Sequence, residues 1–138
     1  MLNLSIDLII SLAITMVIAF TVHEFAHAFA ADRLGDSTPR NMGRLTLNPK
    51  VHIDPIGALL LIFAGFGWAR PVQVNPLALT MRTRYGPMLV ALAGPLSNLL
   101  MAIIGGILFR IGIPGWTVRI AEFLPTFQEF LWVFININ

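Results

Sequence analysis

Two long apolar segments flank a polar middle part of the chain. The first runs from about Leu4 to Ala31, and the second, Met88 to Phe109, has 22 residues without a charge. At about 1.5 Å per residue, each segment is long enough as a helix to cross a hydrocarbon core of about 30 Å. We therefore predict two membrane-spanning helices. The first is expected to be retained, because the chain does not begin with the basic residues of a signal peptide.

The polar middle part carries shorter signals. Leu45–Leu47 and Pro71–Val74 are typical of short strands and are predicted to pair with each other. Asp54 followed by Pro55 is typical of a helix N-cap and a first-turn proline. The apolar run that follows, Pro55–Gly67, has 13 residues. As a helix it would measure about 20 Å, so we predict a re-entrant or buried segment rather than a full crossing.

The composition favours a membrane protein. Hydrophobic residues make up 57% of the chain and charged residues 12%, with a mean hydropathy of +0.79. A soluble domain has about 25% charged residues. No run of basic residues is present, so nothing indicates nucleic-acid binding. We expect an all-α polytopic membrane protein, a single membrane-embedded domain over residues 1–138, with a small β element in the middle and a further helix from about Pro125.

The distribution of basic residues predicts the topology. By the positive-inside rule, the loops richest in Lys and Arg lie in the cytoplasm. Two basic residues, Arg110 and Arg119, follow the second apolar segment. Seven lie between the two segments, namely Arg33, Arg40, Arg44, Lys50, Arg70, Arg82 and Arg84. We therefore expect a multi-pass protein of the cell membrane whose polar middle part is cytoplasmic.

The candidate chemistry lies at the end of the first apolar segment, in the motif His23-Glu24-Phe25-Ala26-His27. Residues four apart share one face of a helix, so both imidazoles can reach one ion. The chain has no cysteine, and neutral imidazole suits Zn²⁺. Glu24 is placed to take a proton from water that the metal activates. The spacing therefore predicts zinc-dependent hydrolysis, and the alternative is a histidine pair that only forms hydrogen bonds between helices.

The sequence resembles the site-2 protease family of intramembrane zinc metalloproteases, in particular its compact prokaryotic branch. The resemblance covers most of the chain from Val22 to Asn98. It rests on four segments in the order that the family has them, namely His23–His27, Asn48–Gly57, Gly67–Pro76 and Ala93–Asn98.

This resemblance implies hydrolysis of peptide bonds of transmembrane protein substrates within the bilayer, with Zn²⁺ as the cofactor. His23 and His27 correspond to metal ligands and Glu24 to the general base. Asn98 corresponds to an asparagine near the active site, whose amide could donate a hydrogen bond to the developing oxyanion. The alternative for Asn98 is a structural hydrogen bond between membrane helices.

One feature of the family is missing from the sequence. The family's third zinc ligand is the aspartate of a Leu-Asp-Gly motif on a later helix, and no such motif occurs here. We expect the ligand-bearing segment to lie beyond Asn138, which leaves open whether this chain is active alone. His52 is an alternative ligand, and Asp54 is expected to be mainly a helix cap. Two other functions stay open: an inactive family member or fragment that binds transmembrane partners, and a metal transporter or sensor.

Overall fold

The fold is given by a computed structural model that describes residues 6–64, 67–111 and 125–138. These residues are mostly helical. The helices are α1 (Ile6–Arg33), α2 (Thr38–Asn41), α3 (Pro49–His52), α4 (Pro55–Ala64), α5 (Pro76–Arg82), α6 (Gly86–Ile111) and α7 (Phe127–Ile137). With 28 and 26 residues, α1 and α6 are long and apolar enough to cross a membrane, as predicted from the sequence. The helix expected after Pro125 is present as α7.

The chain forms two compact units, and the division falls within α1 and within α6. We call Ala19–Asn98 the motif unit, and Met1–Ile18 together with Leu99–Asn138 the helix unit. In the helix unit, α7 packs against α6 at Gly105, where a Cβ atom would lie 3.2 Å from the side chain of Ile135. Thr126 and Glu129 form a capping box at the start of α7.

The core of the motif unit is small and is formed by three helices. Ala31 of α1, Leu79 of α5 and Val90 of α6 form one buried cluster, and each is at most 4% exposed. The turn from α5 to α6 is tight, because a Cβ atom on Gly86 would lie 2.6 Å from the carbonyl oxygen of Leu79. Burial of Leu79 and this close approach together fix α5 against the start of α6.

The short helix α4 begins as the sequence predicts. The Oδ1 atom of Asp54 accepts hydrogen bonds from the backbone N–H groups of Ile56 and Gly57, both at 2.9 Å. The N-cap role of Asp54 is therefore confirmed. The helix has 10 residues, about 15 Å, which is too short to cross a bilayer. Its predicted re-entrant path is not confirmed.

The predicted pair of strands is not confirmed. Leu45–Leu47 follows irregular backbone, and Pro71–Val74 belongs to no strand. The described residues contain no strand, and their only β pairing is a single antiparallel bridge between Ile53 and Ala69. The physical reason is that side chains, rather than a neighbouring strand, bind the backbone N–H groups of Val72 and Asn75.

Two carboxylates hold the segment of residues 67–75, which we call the strap. Glu24 of α1 accepts the N–H of Val72 at 2.9 Å, and Asp36 accepts the N–H of Asn75 at 2.6 Å. Buried N–H groups need such partners. The strap is therefore attached to α1 and to the turn that follows it.

A buried arginine attaches the other end of the strap. Arg44 is 5% exposed, and its guanidinium donates to the carbonyl oxygens of Val51 and, at 3.3 Å, of Arg70. The backbone N–H of Arg70 donates to the carbonyl oxygen of His52 at 2.7 Å. Gly43 has a φ of +68°, a left-handed conformation that favours glycine and turns the chain just before Arg44.

Asp36 makes the stability of the motif unit depend on pH. Burial raises its pKa, but the hydrogen bonds that its carboxylate accepts from Thr38 and from the backbone of Asn75 outweigh this effect, so the pKa lies below the ordinary value. A carboxylate with a lowered pKa stabilises the fold above the pKa of the unfolded chain, about 3.9. This stabilisation is lost as the pH falls through the lower pKa of the folded state.

We expect Asp36→Asn to lower the free energy of unfolding at pH 7 by about 1–3 kcal/mol, because the strap loses a charged acceptor. The variant should also lose part of the decrease in stability below about pH 4. Unfolding in detergent micelles, followed by circular dichroism at pH 7 and pH 3, measures both effects. Gln73→Ala, an exposed change in the strap, is the control and should stay within about 0.5 kcal/mol of the wild type. The same acid sensitivity in Asp36→Asn and wild type would contradict this role.

Candidate metal centre

The two histidines of the motif lie side by side on α1. The helix is continuous from Ile6 to Arg33, so His23 and His27 are one turn apart on the same face. Their ring centroids are 4.7 Å apart and the ring planes meet at 80°. The helix thus brings the two imidazoles together as the spacing predicts.

Both imidazoles direct Nε2 towards the same point on α6. A Cβ atom built on Gly94 would lie 2.5 Å from Nε2 of His23 and still closer to Nε2 of His27. Any residue other than glycine would therefore place carbon against both nitrogens. The missing side chain leaves room beside the two nitrogens, as a metal ion that they share requires.

A hydrogen bond to the backbone selects the tautomer of His27. Its Nδ1 atom lies 2.6 Å from the carbonyl oxygen of Val90. Because a carbonyl only accepts, Nδ1 carries the hydrogen and Nε2 keeps its lone pair. Metal-bound histidines are commonly oriented in this way by an outer hydrogen bond. The donor type, the tautomer and the space beside Gly94 all fit Zn²⁺.

The described residues bring two such ligands together, not three. Within residues 6–64, 67–111 and 125–138, no group of three or more His, Cys, Asp or Glu residues could hold a metal. His52, the alternative ligand, does not join the pair. It is fully buried, and its Nε2 atom is 2.7 Å from the carbonyl oxygen of Thr46, to which it donates. A catalytic zinc site ordinarily has three protein ligands and one open position.

Glu24 lies on the neighbouring face of α1 and is 9% exposed. Its Oε2 atom accepts the N–H of Val72, so the strap fixes the orientation of the carboxylate. Burial and the charge of Arg70 lower the pKa of Arg44, and the carboxylate of Glu24 acts in the opposite direction. The buried cation Arg44 therefore interacts electrostatically with Glu24.

Asn98 lies one helical turn after Gly94, on the same side of α6. Its Oδ1 atom is buried and has no hydrogen-bond partner among the residues that the structure describes. This oxygen therefore forms no hydrogen bond between helices among the described residues. The neighbouring hydroxyl of Ser97 donates to the carbonyl oxygen of Gly94 at 2.6 Å and so remains within its own helix.

Three contributors to the site were not identified from the sequence. In the sequence, Arg44 is one of the basic residues that predict the topology, and its burial depends on the folded loop. Val90 contributes a backbone carbonyl, for which a side-chain pattern holds no signal. Gly94 belongs to the Ala93–Asn98 segment of the resemblance, but its contact with the imidazoles depends on the register of α6 against α1.

Comparison with known proteins finds relatives whose names describe them as zinc metalloproteases. The chain is 42% identical over 127 residues to "Putative zinc metalloprotease YwhC" of Bacillus subtilis, an alignment that covers 92% of this chain and 58% of that protein. It is 38% identical over 86 residues to "Putative zinc metalloprotease Rip2" of Mycolicibacterium smegmatis, covering 60% of this chain and 33% of that protein. For Rip2 of Mycobacterium tuberculosis the identity is 37% over 93 residues, 63% of this chain and 35% of that protein.

The chain thus spans little more than half the length of the Bacillus relative and about a third of the mycobacterial ones. No family model matches the chain. No solved structure matches it.

We expect Gly94→Ala to lower the affinity for zinc at least tenfold, because the new Cβ would displace both Nε2 atoms. Competition with a fluorescent zinc chelator, on the protein in detergent micelles, measures the affinity. Gly106→Ala, in the same helix, is the matched control, since a Cβ at this position meets nothing within 4 Å.

Alanine is also a better helix former than glycine, by about 1 kcal/mol. Thermal unfolding therefore separates a steric effect on the site from a general loss of structure. Wild-type zinc affinity in a folded Gly94→Ala protein would show that the two nitrogens do not share an ion beside Gly94.

Proposed function

The chain belongs to the site-2 protease family, and on this premise we propose that it is the metal-binding part of a zinc-dependent endopeptidase that hydrolyses transmembrane proteins. The observation that carries this proposal is the approach of Nε2 of His23 and of His27 to one point beside Gly94. The names of the relatives support zinc and proteolysis. That the substrates are transmembrane proteins is the more specific part of the proposal, and the names of the relatives do not state it.

His23 and His27 would hold the zinc ion through Nε2, together with a further ligand from outside the described residues. When bound, zinc acts as a Lewis acid that polarises the scissile carbonyl and lowers the pKa of water. Glu24 accepts the proton of the attacking water and returns it to the amine that leaves. Because Oε2 of Glu24 accepts the N–H of Val72, we assign this proton transfer to Oε1.

Asn98 is proposed to donate a hydrogen bond from its side-chain amide to the oxyanion or to the substrate backbone. An unpaired buried polar atom costs about 1–3 kcal/mol, and such atoms call for an explanation in a native fold. The unpartnered Oδ1 of Asn98 is free to accept an N–H group of the substrate backbone while the amide N–H groups donate to the oxyanion. This supports a role in the site over one in holding helices together.

The proposed location is the cell membrane, with α1 and α6 crossing it and the site near the cytoplasmic face. The excess of basic residues between the two helices supports this orientation. Hydrolysis needs water, and His23 and His27 lie in the second half of α1, 10 and 6 residues before Arg33 and the polar loop that follows it. The proposed site is thus displaced from the middle of the helix towards its cytoplasmic end.

The second candidate is a relative that binds transmembrane partners without cleaving them. One observation favours it: the described residues hold two metal ligands and no third. Measurements of zinc binding and of cleavage together distinguish the two candidates, because a protein that does not cleave its partners does not need proton transfer by Glu24.

We expect Glu24→Gln to lower the rate of cleavage by a factor of about 10² to 10⁴, because glutamine cannot accept the proton. Cleavage of a model transmembrane peptide by the full-length gene product in proteoliposomes measures the rate. Zinc content should stay at the wild-type level in Glu24→Gln and fall in the control His23→Ala. Cleavage at the wild-type rate by Glu24→Gln would reject the mechanism.

We expect Asn98→Ala to lower kcat by a factor of about 10² to 10³, with KM and zinc content unchanged, as for the loss of an oxyanion donor. Ser97→Ala is the control and should change kcat less than about threefold, because the Ser97 hydroxyl bonds within its own helix. A lower melting temperature with unchanged kcat would instead assign Asn98 a purely structural role.

A further inference from the structure

We propose that α5 and the start of α6 form a membrane-interface surface that inserts apolar side chains into the headgroup region and binds anionic lipid headgroups. The surface consists of six exposed residues, namely Leu77, Met81, Arg82, Arg84, Tyr85 and Met88. We call it the α5 surface. The inference rests on the proposed membrane location of α6 and goes beyond the proposed proteolytic function.

Helix α5 is apolar on the side that faces away from the protein. Leu79 is fully buried, whereas Leu77 is 69% and Met81 is 82% exposed. At about 100° per residue, Leu77 and Met81 lie about 40° apart and opposite to Leu79. The outer face of a helix in water is normally polar. A helix that is apolar on both faces fits a position between a protein core and a lipid interface.

The orientation of α5 is fixed, so this exposure is not relieved by rotating the helix. Asn75 caps its first turn and accepts the N–H groups of Leu77 and Ala78 at 3.1 and 3.3 Å. At its other end, the backbone of Leu79 lies against Gly86. Turning Leu77 inward would expose Leu79 and break both attachments.

The position of α5 along the chain places it at the level of the headgroups. Helix α6 begins at Gly86, four residues after α5 ends at Arg82. Its 26 residues measure about 39 Å, against about 30 Å for the hydrocarbon core. Helix α6 therefore exceeds the hydrocarbon core by about 9 Å. Because the exposed charges of Arg82 and Arg84 directly precede its start, we place that end at the headgroups. Tyr85 and Met88, 49% and 52% exposed, continue the outward apolar surface of α5 towards the lipid-facing side of α6.

The charge of the α5 surface complements anionic headgroups. Arg82 and Arg84 are exposed, and neither has an ion-pair partner in the part of the chain that the structure describes. The guanidinium of Arg84 lies over the ring of Tyr85, 4.7 Å from its centre. Arginine beside tyrosine is typical of membrane interfaces, and cations there attract anionic lipids.

The absence of cysteine from the chain permits a direct test with single-cysteine variants that carry a nitroxide spin label. The protein is reconstituted in vesicles of phosphatidylcholine with about a third phosphatidylglycerol. Accessibility of each label to oxygen, which concentrates in lipid, and to a water-soluble nickel chelate is then measured. The test sites are Leu77→Cys and Met81→Cys. Gln73→Cys in the strap is the control for water, and Ile103→Cys in α6 is the control for lipid.

Labels at positions 77 and 81 should be more accessible to oxygen than to the nickel chelate, as at position 103, with the opposite result at position 73. Water-accessible labels at 77 and 81, with a lipid-exposed label at 103, would overturn this inference and leave the proposed membrane location intact. Labels protected from both reagents would indicate coverage by protein and would also overturn it. A water-accessible label at 103 would instead reject the membrane location itself.

The headgroup contact is tested separately with Arg82→Gln combined with Arg84→Gln. Selectivity of the protein for spin-labelled phosphatidylglycerol over spin-labelled phosphatidylcholine should fall at least about twofold in this variant at low salt. Lys50→Gln, which removes an exposed charge from α3, should leave the selectivity unchanged. Unchanged selectivity in the double variant would overturn the assignment of Arg82 and Arg84 to anionic lipid.

Discussion

The site depends on the close approach of α6 to α1 at Gly94. Small residues let membrane helices come together, and here the absence of a side chain brings the backbone of α6 against the imidazoles of His23 and His27. The same register places the Val90 carbonyl at Nδ1 of His27. Space for the proposed ion and the tautomer of His27 are thus set by a single helix contact.

Buried charged side chains form hydrogen bonds to the strap, where the sequence predicts pairing between two strands. Glu24 and Asp36 accept N–H groups of the strap, and Arg44 donates to its carbonyl oxygens. Charged groups are costly to bury unless they are paired or hydrogen-bonded. Because Glu24 is both the proposed base and an attachment point of the strap, the position of the base is coupled to the folding of the loop.

The sequence predicted the features that depend on local spacing. The two long helices, the Asp54 cap and the adjacent imidazoles all follow from residues within a few turns of each other. The strand pairing of Leu45–Leu47 with Pro71–Val74 was not confirmed, because the carboxylates that bind the strap come from distant parts of the chain. Metal binding by His23 and His27, the third metal ligand, the orientation in the membrane and the roles of Glu24 and Asn98 stay predictions.

The hydrogen bond between His27 and Val90 has an evolutionary consequence. Its acceptor belongs to the main chain, so exchanging valine for another residue that keeps α6 helical leaves the acceptor in place. A substitution of residue 90 therefore leaves the orientation of the His27 ring unchanged. Insertion or deletion of one residue between Val90 and Gly94 would instead rotate the carbonyl away from His27 by about 100°. This hydrogen bond thus depends on the number of residues between Val90 and Gly94, whereas the side chain of Val90 matters for the core that it forms with Ala31 and Leu79.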